Sequence, residues 1–268
     1  MAGWKKVAAA TATDHLSRMM SATDLEAREA SAAAAGAAGK RAYVQRMFSD
    51  IAPRYDLLNR VLSMGVDRHW RRVAIARLGW ERTPSGTFLD LCAGTLDVAT
   101  ALSSQRGFVG RVIGADFAEP MLRAGRSKLS GRPITPVVAD ALSLPVLDDS
   151  LAGAIVAFGI RNVADLDACL REVLRALQPG ARFVILEFST PRYAIVRSVY
   201  HAYFHHVLPR IGGLVSGHKT AYTYLPDSVK NFPERAALAE RMRAAGYGEV
   251  QWRALTFGIA AVHVGTKT

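Results

Sequence analysis

Between residues 87 and 188 the chain alternates short apolar runs with longer stretches of helical pattern. The runs read TFLDLC, RVIGAD, ITPVVA, GAIVAF and RFVILEF, and the stretches between them include LDVATALSSQ, EPMLRAGRSKL and DLDACLREVLRAL. Strands that alternate with helices of about ten to fifteen residues predict βαβ units and a parallel sheet. The strands are apolar almost throughout, as expected when helices cover both faces of a sheet. The first prediction is therefore an α/β fold.

The chain beyond Pro191 departs from this alternation. An aromatic-rich segment is followed by a helical pattern over 234–245, which ends at Gly246, and then by two strand-like runs, EVQWRAL and GIAAVHVG. Because only Thr256 and Phe257 separate these runs, they predict a closing antiparallel pair.

Length and composition favour one domain with an extension. The chain has 268 residues, half of them hydrophobic, and can bury a full core, which we expect over 40–268. Within it we interpret 40–80 as an N-terminal helical cap, 81–190 as a cofactor-binding core and 191–268 as a substrate-side segment with the closing strands. Residues 1–39 are rich in alanine and balance four basic against four acidic side chains. Since a transit peptide is poor in acidic residues, we interpret 1–39 as a loosely ordered or partly helical extension.

Cysteine and histidine spacing predicts neither a disulfide framework nor a metal centre. Cys92 and Cys169 lie far apart and outside metal-ligand spacing, which favours a reducing, cytoplasmic setting. His201, His205 and His206 have helical spacing, but no Cys, Asp or Glu lies among their neighbours. No apolar run approaches the roughly 18 to 20 residues that a membrane-spanning helix needs.

The net charge of +11 is unevenly distributed. Residues 40–80 carry nine basic and three acidic side chains, and 191–268 carry ten and four, whereas 81–190 carry eleven and twelve. The basic flanks favour partners with phosphates, in lipid or in nucleic acid. Solubility alone explains the charge equally well.

Side chains suited to a nucleoside-containing cofactor follow three successive strands. The first strand leads into AGTLD at 93–97, a turn of small residues through which backbone amides can approach a ligand. The second strand ends at Asp116, placed to accept hydrogen bonds from two ribose hydroxyls. The third delivers Asp140 and Ala141, where a carboxylate can meet an adenine amino group beside an apolar wall.

The single glycine of the first turn argues against a dinucleotide. A dinucleotide site needs G-x-G-x-x-G so that a helix N-terminus can hold a pyrophosphate. Here Gly94 stands alone and Asp97 lies where a phosphate would be. A cation without phosphates suits an acidic turn, so we predict S-adenosylmethionine, a sulfonium with an amino-acid tail.

Longer motifs add a specific family resemblance. RYDLLNRVLSMGVDRHWR at 54–71, ADALSLPVLDDSLAGAIVAFGIRNV at 139–163 and LQPGARFVILEFSTP at 177–191 resemble signature segments of the ubiquinone/menaquinone biosynthesis C-methyltransferase family. The tail resembles it too, through HHVLPRIGGLVSGHKTAYTYLPDSVKNFP, RAAGY and LTFGIAAVHVGTK. The similarity runs from about residue 43 to the C-terminus.

This resemblance implies a class I methyltransferase fold, which is Rossmann-like. It has a seven-stranded, mostly parallel sheet with helices on both faces and an antiparallel final strand. It also implies an enzyme that transfers a methyl group from S-adenosylmethionine to a ring carbon of a polyprenyl quinol. That acceptor is a demethylmenaquinol, a 2-methoxy-6-polyprenyl-1,4-benzoquinol or both. The cofactor-binding positions expected on this basis are Gly94, Thr95, Asp97, Asp116, Asp140, Ala141 and Ala157.

Two residues depart from the family pattern. The family usually has G-G-T-G-D in the first turn, so Leu96 puts a side chain where the backbone normally meets the methionine part of the cofactor. Ala157 stands where the family often has serine, which removes a hydroxyl contact to the cofactor. We expect the loop around Leu96 to shift or the affinity to fall.

The resemblance also points to catalytic residues. Methylation of an aromatic carbon needs electron density there, and the simplest source is an ionised neighbouring hydroxyl. The family implies Arg161 and Asn162 of the GIRN segment as catalytic, with Tyr55 and Asp56 closing over the site. Arginine stays protonated, but its charge can stabilise a phenolate while water removes the proton. A structural role stays open for each pair, as a loop cap after the fourth strand or as a helix-end cluster.

Two alternatives remain at this stage. One is a methyltransferase acting on RNA or on another small molecule. For RNA, the chain lacks an appended RNA-binding module and a recognisable stacking motif, so no nucleic-acid partner is expected. The other is a non-catalytic S-adenosylmethionine-binding subunit, which Leu96 would support. For the enzyme we expect a peripheral position on the inner face of the cytoplasmic membrane, with the basic flanks on anionic lipid. A homodimer is left open.

Overall fold

The computed structural model describes residues 22–36, 38–203 and 221–268. Half of the N-terminal extension, together with His205 and His206, lies outside the described residues, and of His201 only the backbone is described.

Seven strands form one sheet. They are β1 (Thr87–Leu91), β2 (Arg111–Asp116), β3 (Ile134–Val138), β4 (Leu151–Ala157), β5 (Leu177–Phe188), β6 (Tyr247–Leu255) and β7 (Ala260–Lys267). Their order is β3-β2-β1-β4-β5-β7-β6. The first five strands pair in parallel, and β7 runs antiparallel to both β5 and β6. The predicted α/β class and the antiparallel final strand are confirmed.

Ten α-helices lie in the described part of the chain. They are α1 (Ala22–Ala34), α2 (Lys40–Ile51), α3 (Tyr55–Leu62), α4 (Val66–Leu78), α5 (Asp97–Ser103), α6 (Glu119–Ala124), α7 (Leu166–Ala176), α8 (Ala194–Ala202), α9 (Ala221–Lys230) and α10 (Arg235–Ala244). Short 3₁₀ turns occur at 52–54, 80–82, 126–128, 160–162 and 256–258.

Local sequence explains where several of these elements end. Helix α4 lies between Gly65 and Gly79, whose φ angles of 77° and 74° are left-handed and favour glycine. Asp165 begins α7 by accepting a hydrogen bond from the amide of Ala168 at 2.9 Å. The QPG segment at 178–180, whose proline and glycine are typical of a turn, lies inside β5, where the pairing with β4 shifts between Leu151 and Gly153. A bulge thus replaces the expected turn.

Helices cover both faces of the sheet. On one face Leu170 of α7 and Met242 of α10 pack on Phe183 of β5. On the other face Ile75 of α4 and Leu102 of α5 share a core with the sheet. The site therefore rests on a rigid sheet that is buried from both sides.

The second half of the N-terminal extension packs on the domain. Ala30, Ala33 and Ala34 of α1 are buried against Tyr224 of α9. Their small side chains let the two helices approach closely. The packed unit thus begins before residue 40, where the sequence had suggested a boundary. Among the described helices, none is long and apolar enough to cross a bilayer.

Candidate active site

A cavity opens where the strand order reverses, between β1 and β4 at the carboxyl edge of the parallel strands. Such a crevice is the usual ligand site of an open α/β sheet. Its empty volume is about 720 Å³. Five of the predicted cofactor positions line it, namely Gly94, Asp116, Asp140, Ala141 and Ala157, as do the predicted catalytic residues Tyr55 and Asn162.

Asp116 is held in place by backbone amides. Its Oδ2 accepts a hydrogen bond from the amide of Gly94 and its Oδ1 one from the amide of Ala118, each at 2.8 Å. Burial raises the pKa of this carboxyl above its ordinary value, and the two amides oppose that shift. Each oxygen keeps a lone pair, so the carboxylate can still accept from a diol.

Asp140 lies between the core and the cap. Its Oδ1 accepts from the amide of Leu142 at 3.0 Å, and its Oδ2 pairs with the guanidinium of Arg41 at 3.0 Å. Arg41 belongs to α2 and lines the cavity beside Ala141. The cap helix thus crosses the end of β3 and narrows the mouth of the cavity.

Leu96 does not obstruct the cavity, contrary to the expectation from its sequence. It adopts a left-handed φ of 67° and is fully buried in the core on the α4 side of the sheet. A Cβ placed on Gly114 would lie only 2.4 Å from the Cδ2 of Leu96, so the leucine occupies the space that this glycine leaves open. The side chain therefore points into the sheet, and the loop need not shift.

Thr95 and Asp97 do not line the cavity, and both bond to Lys128. The Nζ of Lys128 lies 2.6 Å from Asp97 Oδ1, 2.6 Å from Asp56 Oδ2 and 3.2 Å from Thr95 Oγ1. Thr95 donates in turn to Asp56 at 2.5 Å. We call Asp56, Thr95, Asp97 and Lys128 the Lys128 bridge. It ties α3, which begins with Tyr55, to the glycine turn.

The acidic charge of the turn is largely compensated. Besides Lys128, Arg71 of α4 pairs with Asp97 at 2.8 Å and with Asp67 at 2.9 Å. Asp97 is therefore a structural link, and its carboxylate is not free to attract a cationic ligand as the sequence had suggested.

Arg161 also lies behind the cavity wall. Its Nη1 pairs with Glu187 Oε1 at 2.9 Å and donates to the carbonyl of Phe158, and its Nε donates to Ser228 Oγ at 3.3 Å. Burial raises the pKa of Glu187, and the Arg161 charge opposes the rise. The guanidinium is thus compensated by a buried carboxylate, so its charge cannot act alone on a phenolate.

Asn162 and Tyr55 both line the cavity. Asn162 is buried, and its Oδ1 accepts a hydrogen bond from Tyr224 at 3.0 Å. The ring of Tyr55 lies over the glycine turn, 3.8 Å from where a Cβ of Gly94 would be, and packs edge-on against Phe48. Burial raises the pKa of Tyr55, so it stays a neutral phenol near neutral pH.

Four site residues escaped the sequence reasoning: Arg41, Phe48, Lys128 and Glu187. Each reaches the site through a contact between distant parts of the chain, as Lys128 does to Asp56. Only Glu187 carried a local signal, because a carboxylate at the end of an apolar strand needs a buried partner.

The residues present fit S-adenosylmethionine. The buried Asp116 carboxylate suits a ribose diol, and Ala139, Ala141 and Val163 give an apolar wall for an adenine ring. In S-adenosylmethionine, only the adenosyl part and the amino-acid tail need polar partners. Because Gly94 has no side chain, the backbone of the glycine turn can come close to the amino-acid tail. When bound, this cofactor supplies an activated methyl group on sulfonium sulfur.

The fold and the cavity define a class I S-adenosylmethionine-dependent methyltransferase. A solved structure of a SAM-dependent methyltransferase from Thermotoga maritima is similar at a TM-score of 0.57 and 18% identity, covering 83% of this chain and 99% of that one. At this identity the likeness concerns the fold. The sequence profile of the ubiE/COQ5 methyltransferase family matches residues 37–267, and the chain belongs to that family.

Two relatives illustrate the similarity. The ubiquinone/menaquinone biosynthesis C-methyltransferase UbiE of Geobacter sulfurreducens is 46% identical over 228 residues, which cover 84% of this chain and 88% of that protein. The demethylmenaquinone methyltransferase of Thermus thermophilus is 48% identical over 223 residues, covering 82% and 100%. The predicted family, enzyme class and cofactor are thus confirmed.

Proposed function

We propose that the enzyme methylates a ring carbon of a polyprenyl quinol, a demethylmenaquinol or its benzoquinol counterpart. The observation that carries this proposal is that Asp116, Asp140, Asn162 and Tyr55 line the same cavity. Relatives that are named for quinone biosynthesis and for demethylmenaquinone support it, because they match most of the chain. Support for the non-catalytic alternative weakens, since it relied on Leu96 obstructing the turn.

The residues of the cavity would divide the work between the two ligands. Asp116 accepts from the ribose, Asp140 and Ala141 bind the adenine, and Gly94 brings the backbone to the amino-acid tail. The phenol of Tyr55 and the amide of Asn162 hold the acceptor ring by hydrogen bonds, so that its reactive carbon is oriented toward the methyl group.

Arg161 takes a positioning role in this proposal. Glu187 holds its side chain, and its backbone adjoins Asn162. The ion pair would therefore fix the position of the Asn162 side-chain amide, which binds the quinol ring. The carbonyl of Arg161 also accepts from Lys40 at 2.9 Å, and burial lowers the pKa of that lysine. A water molecule in the cavity would accept the proton of the quinol hydroxyl.

A turnover assay with a short-chain demethylmenaquinol tests the function. The parent should form the methylated quinol and S-adenosylhomocysteine in equal amounts. Asn162→Ala should lower kcat by on the order of 10²-fold while the Kd for S-adenosylmethionine changes only a few-fold, because the ring contact is lost and the cofactor contacts remain.

One further variant completes this test. Asn162→Asp keeps the shape and the acceptor for Tyr224, so it separates packing from hydrogen-bond donation to the ring. Equal turnover of parent and Asn162→Ala would contradict the site assignment, and no turnover by the parent with naphthoquinol or benzoquinol would contradict the acceptor class.

A further inference from the structure

A long segment after β5 contains no acidic residue. Between Glu187 and Asp227 the sequence has arginine, lysine and histidine but neither Asp nor Glu. Its first part leaves the carboxyl end of β5 and forms α8, whose buried Tyr200 packs near Tyr55 and Ile51. The outer surface of this part carries two exposed basic side chains, Arg192 and Arg197.

Large apolar side chains lie exposed on the same surface. Tyr193 is 67% exposed, Ile195 81% and Phe257 71%. The turn that carries Phe257 lies beside the start of the segment that carries the other two, because Ser189 donates to the carbonyl of Gly258 at 2.7 Å, and a Cβ on Gly258 would lie 3.4 Å from Cα of Pro191. Exposed apolar side chains that are grouped together mark an interaction surface.

The turn that presents Phe257 is strained. Thr256, Phe257 and Gly258 have φ angles of 46°, 56° and 92°, all left-handed. Hairpin turns with this backbone prefer Asn, Asp or Gly, and a bulky residue there is uncommon. Trp70 secures the turn by donating to Thr256 Oγ1 at 2.8 Å. Strain of this kind persists where a position has a function, here an aromatic side chain held in solvent.

We propose that Arg192, Tyr193, Ile195, Arg197 and Phe257 form a docking face for a bilayer that contains anionic phospholipid. The proposal rests on the proposed function, since a polyprenyl tail keeps the acceptor in lipid. Two guanidinium groups pair with lipid phosphates, and the three apolar side chains enter the interfacial layer. No carboxylate of this segment opposes the approach, so the charge of the face complements the lipid.

The position of the docking face also gives the quinol a path from the bilayer to the cavity. The docking face lies on residues 192–197 and on the turn between β6 and β7, beside the carboxyl end of β5, and therefore at the same edge of the sheet as the cavity. A quinol ring would therefore pass from the bilayer to Asn162 beneath α8 while its tail stays in lipid. Exposed apolar residues at the opposite edge, such as Leu147 before β4, would stay in water.

Vesicle co-sedimentation tests the docking face with matched controls. Phosphatidylcholine vesicles with and without phosphatidylglycerol are mixed with the full chain at low and high salt. The parent should pellet with the anionic vesicles and dissociate as salt shortens the Debye length from about 10 Å at 0.1 M to about 3 Å at 1 M. Phe257→Ser should lower the partition coefficient by about tenfold or more, because the variant lacks the aromatic ring that the bilayer would bury.

The controls locate the effect on the molecule. Leu147→Ser, at an 80% exposed position on the far edge, should bind as the parent does. Arg192→Gln with Arg197→Gln should remove the preference for anionic vesicles, and Arg106→Gln with Arg111→Gln should not. Equal binding by Phe257→Ser and the parent, equal loss with Leu147→Ser, or no binding by the parent would overturn the proposal.

Activity separates this proposal from the proposed function. Phe257→Ser should methylate a short-chain quinol in solution at the parent rate and lose activity on a long-chain quinol in vesicles. Loss of both activities would show that Phe257 belongs to the active site and would overturn the docking face. A parent that binds vesicles but never turns over a quinol would refute the proposed function alone.

Discussion

At the residue scale, Leu96 shows how a single backbone angle decides what a substitution means. From the sequence alone, Leu96 stands where the family has a glycine, and its side chain is expected to lower the affinity for the cofactor. In the structure its left-handed φ turns the side chain into the sheet, where Gly114 leaves room. Two positions far apart in the sequence thus compensate each other, and no local pattern reports that pairing.

Leu96→Gly should therefore destabilise the fold without improving the site. Loss of a buried leucine costs about 2 to 5 kcal/mol, and relief of the left-handed backbone returns about 1 kcal/mol. We expect a net loss of about 1 to 4 kcal/mol in urea unfolding and a Kd for S-adenosylmethionine within a few-fold of the parent. Gly114→Ala should destabilise as well, but less so when combined with Leu96→Ala. Additive effects in that double variant would refute the pairing.

His263 makes stability depend on pH. Burial lowers its pKa to about 4, and its Nε2 lies 2.9 Å from the carbonyl oxygen of Arg235. Since an unfolded histidine titrates near 6.5, the folded state prefers the neutral ring. The contribution of the neutral His263 ring to the free energy of unfolding is fully present above about pH 6.5. It is lost as the pH falls toward 4, by about 3 kcal/mol in all.

Urea unfolding at pH 7.5, 6 and 5 measures this loss. His263→Gln keeps a donor for the Arg235 carbonyl but cannot titrate, so its stability should fall less than that of the parent over the same range. Parallel curves for the two proteins would show that other groups govern the acid loss.

At the element scale, the sequence predicted the strands and missed how the elements are tied together. Apolar runs that end in a carboxylate located β2 and its Asp116 correctly, because a parallel strand is buried along its length. The Lys128 bridge and the Arg161–Glu187 pair join residues 26 or more positions apart. Side-chain pairing at such separations depends on the assembled fold, so periodicity does not report it.

Removal of Lys128 should loosen the glycine turn. Lys128→Met leaves the carboxylates of Asp56 and Asp97 without their shared cation, so α3 and its Tyr55 separate from the turn. We expect the Kd for S-adenosylmethionine to rise about tenfold, equal to about 1.4 kcal/mol, since hydrogen bonds to charged groups contribute about 1.5 to 3 kcal/mol. Isothermal titration measures this affinity.

A second ion pair supplies a matched control for this experiment. Lys267 lies 2.6 Å from Asp149 with a side chain 19% exposed, against 22% for Lys128, at the far edge of the sheet. Lys267→Met should leave the affinity unchanged, and Lys128→Arg should restore most of it. An equal effect of the two methionine variants would mean that general stability, not the bridge, sets the affinity.

At the scale of the whole molecule, the sequence predicted the fold class and the binding edge, because strand order and carboxyl ends follow from the βαβ pattern. It did not predict that α1 packs on Tyr224, whose hydroxyl holds Asn162. Alanine-rich composition is equally compatible with an extended tail and a packed helix, and only the partner surface decides between them. The site is thus supported by segments on both ends of the chain.

Ligand binding should therefore stabilise the entire domain through Asp116. At a concentration of 100 times Kd, S-adenosylmethionine should add about 2.7 kcal/mol. For a domain of this size that corresponds to a rise in Tm of about 5 to 10 °C. Asp116→Ala removes the ribose acceptor and should weaken binding by about 1.5 to 3 kcal/mol, so at the same concentration the rise in Tm should shrink to less than half.

The Asp116→Ala substitution also frees the amides of Gly94 and Ala118 and lowers the Tm without ligand, so the readout is the ligand-induced shift in Tm in differential scanning calorimetry. Glu240→Ala, at an exposed position on α10, should retain the full shift, and a full shift in Asp116→Ala would show that the cofactor binds elsewhere.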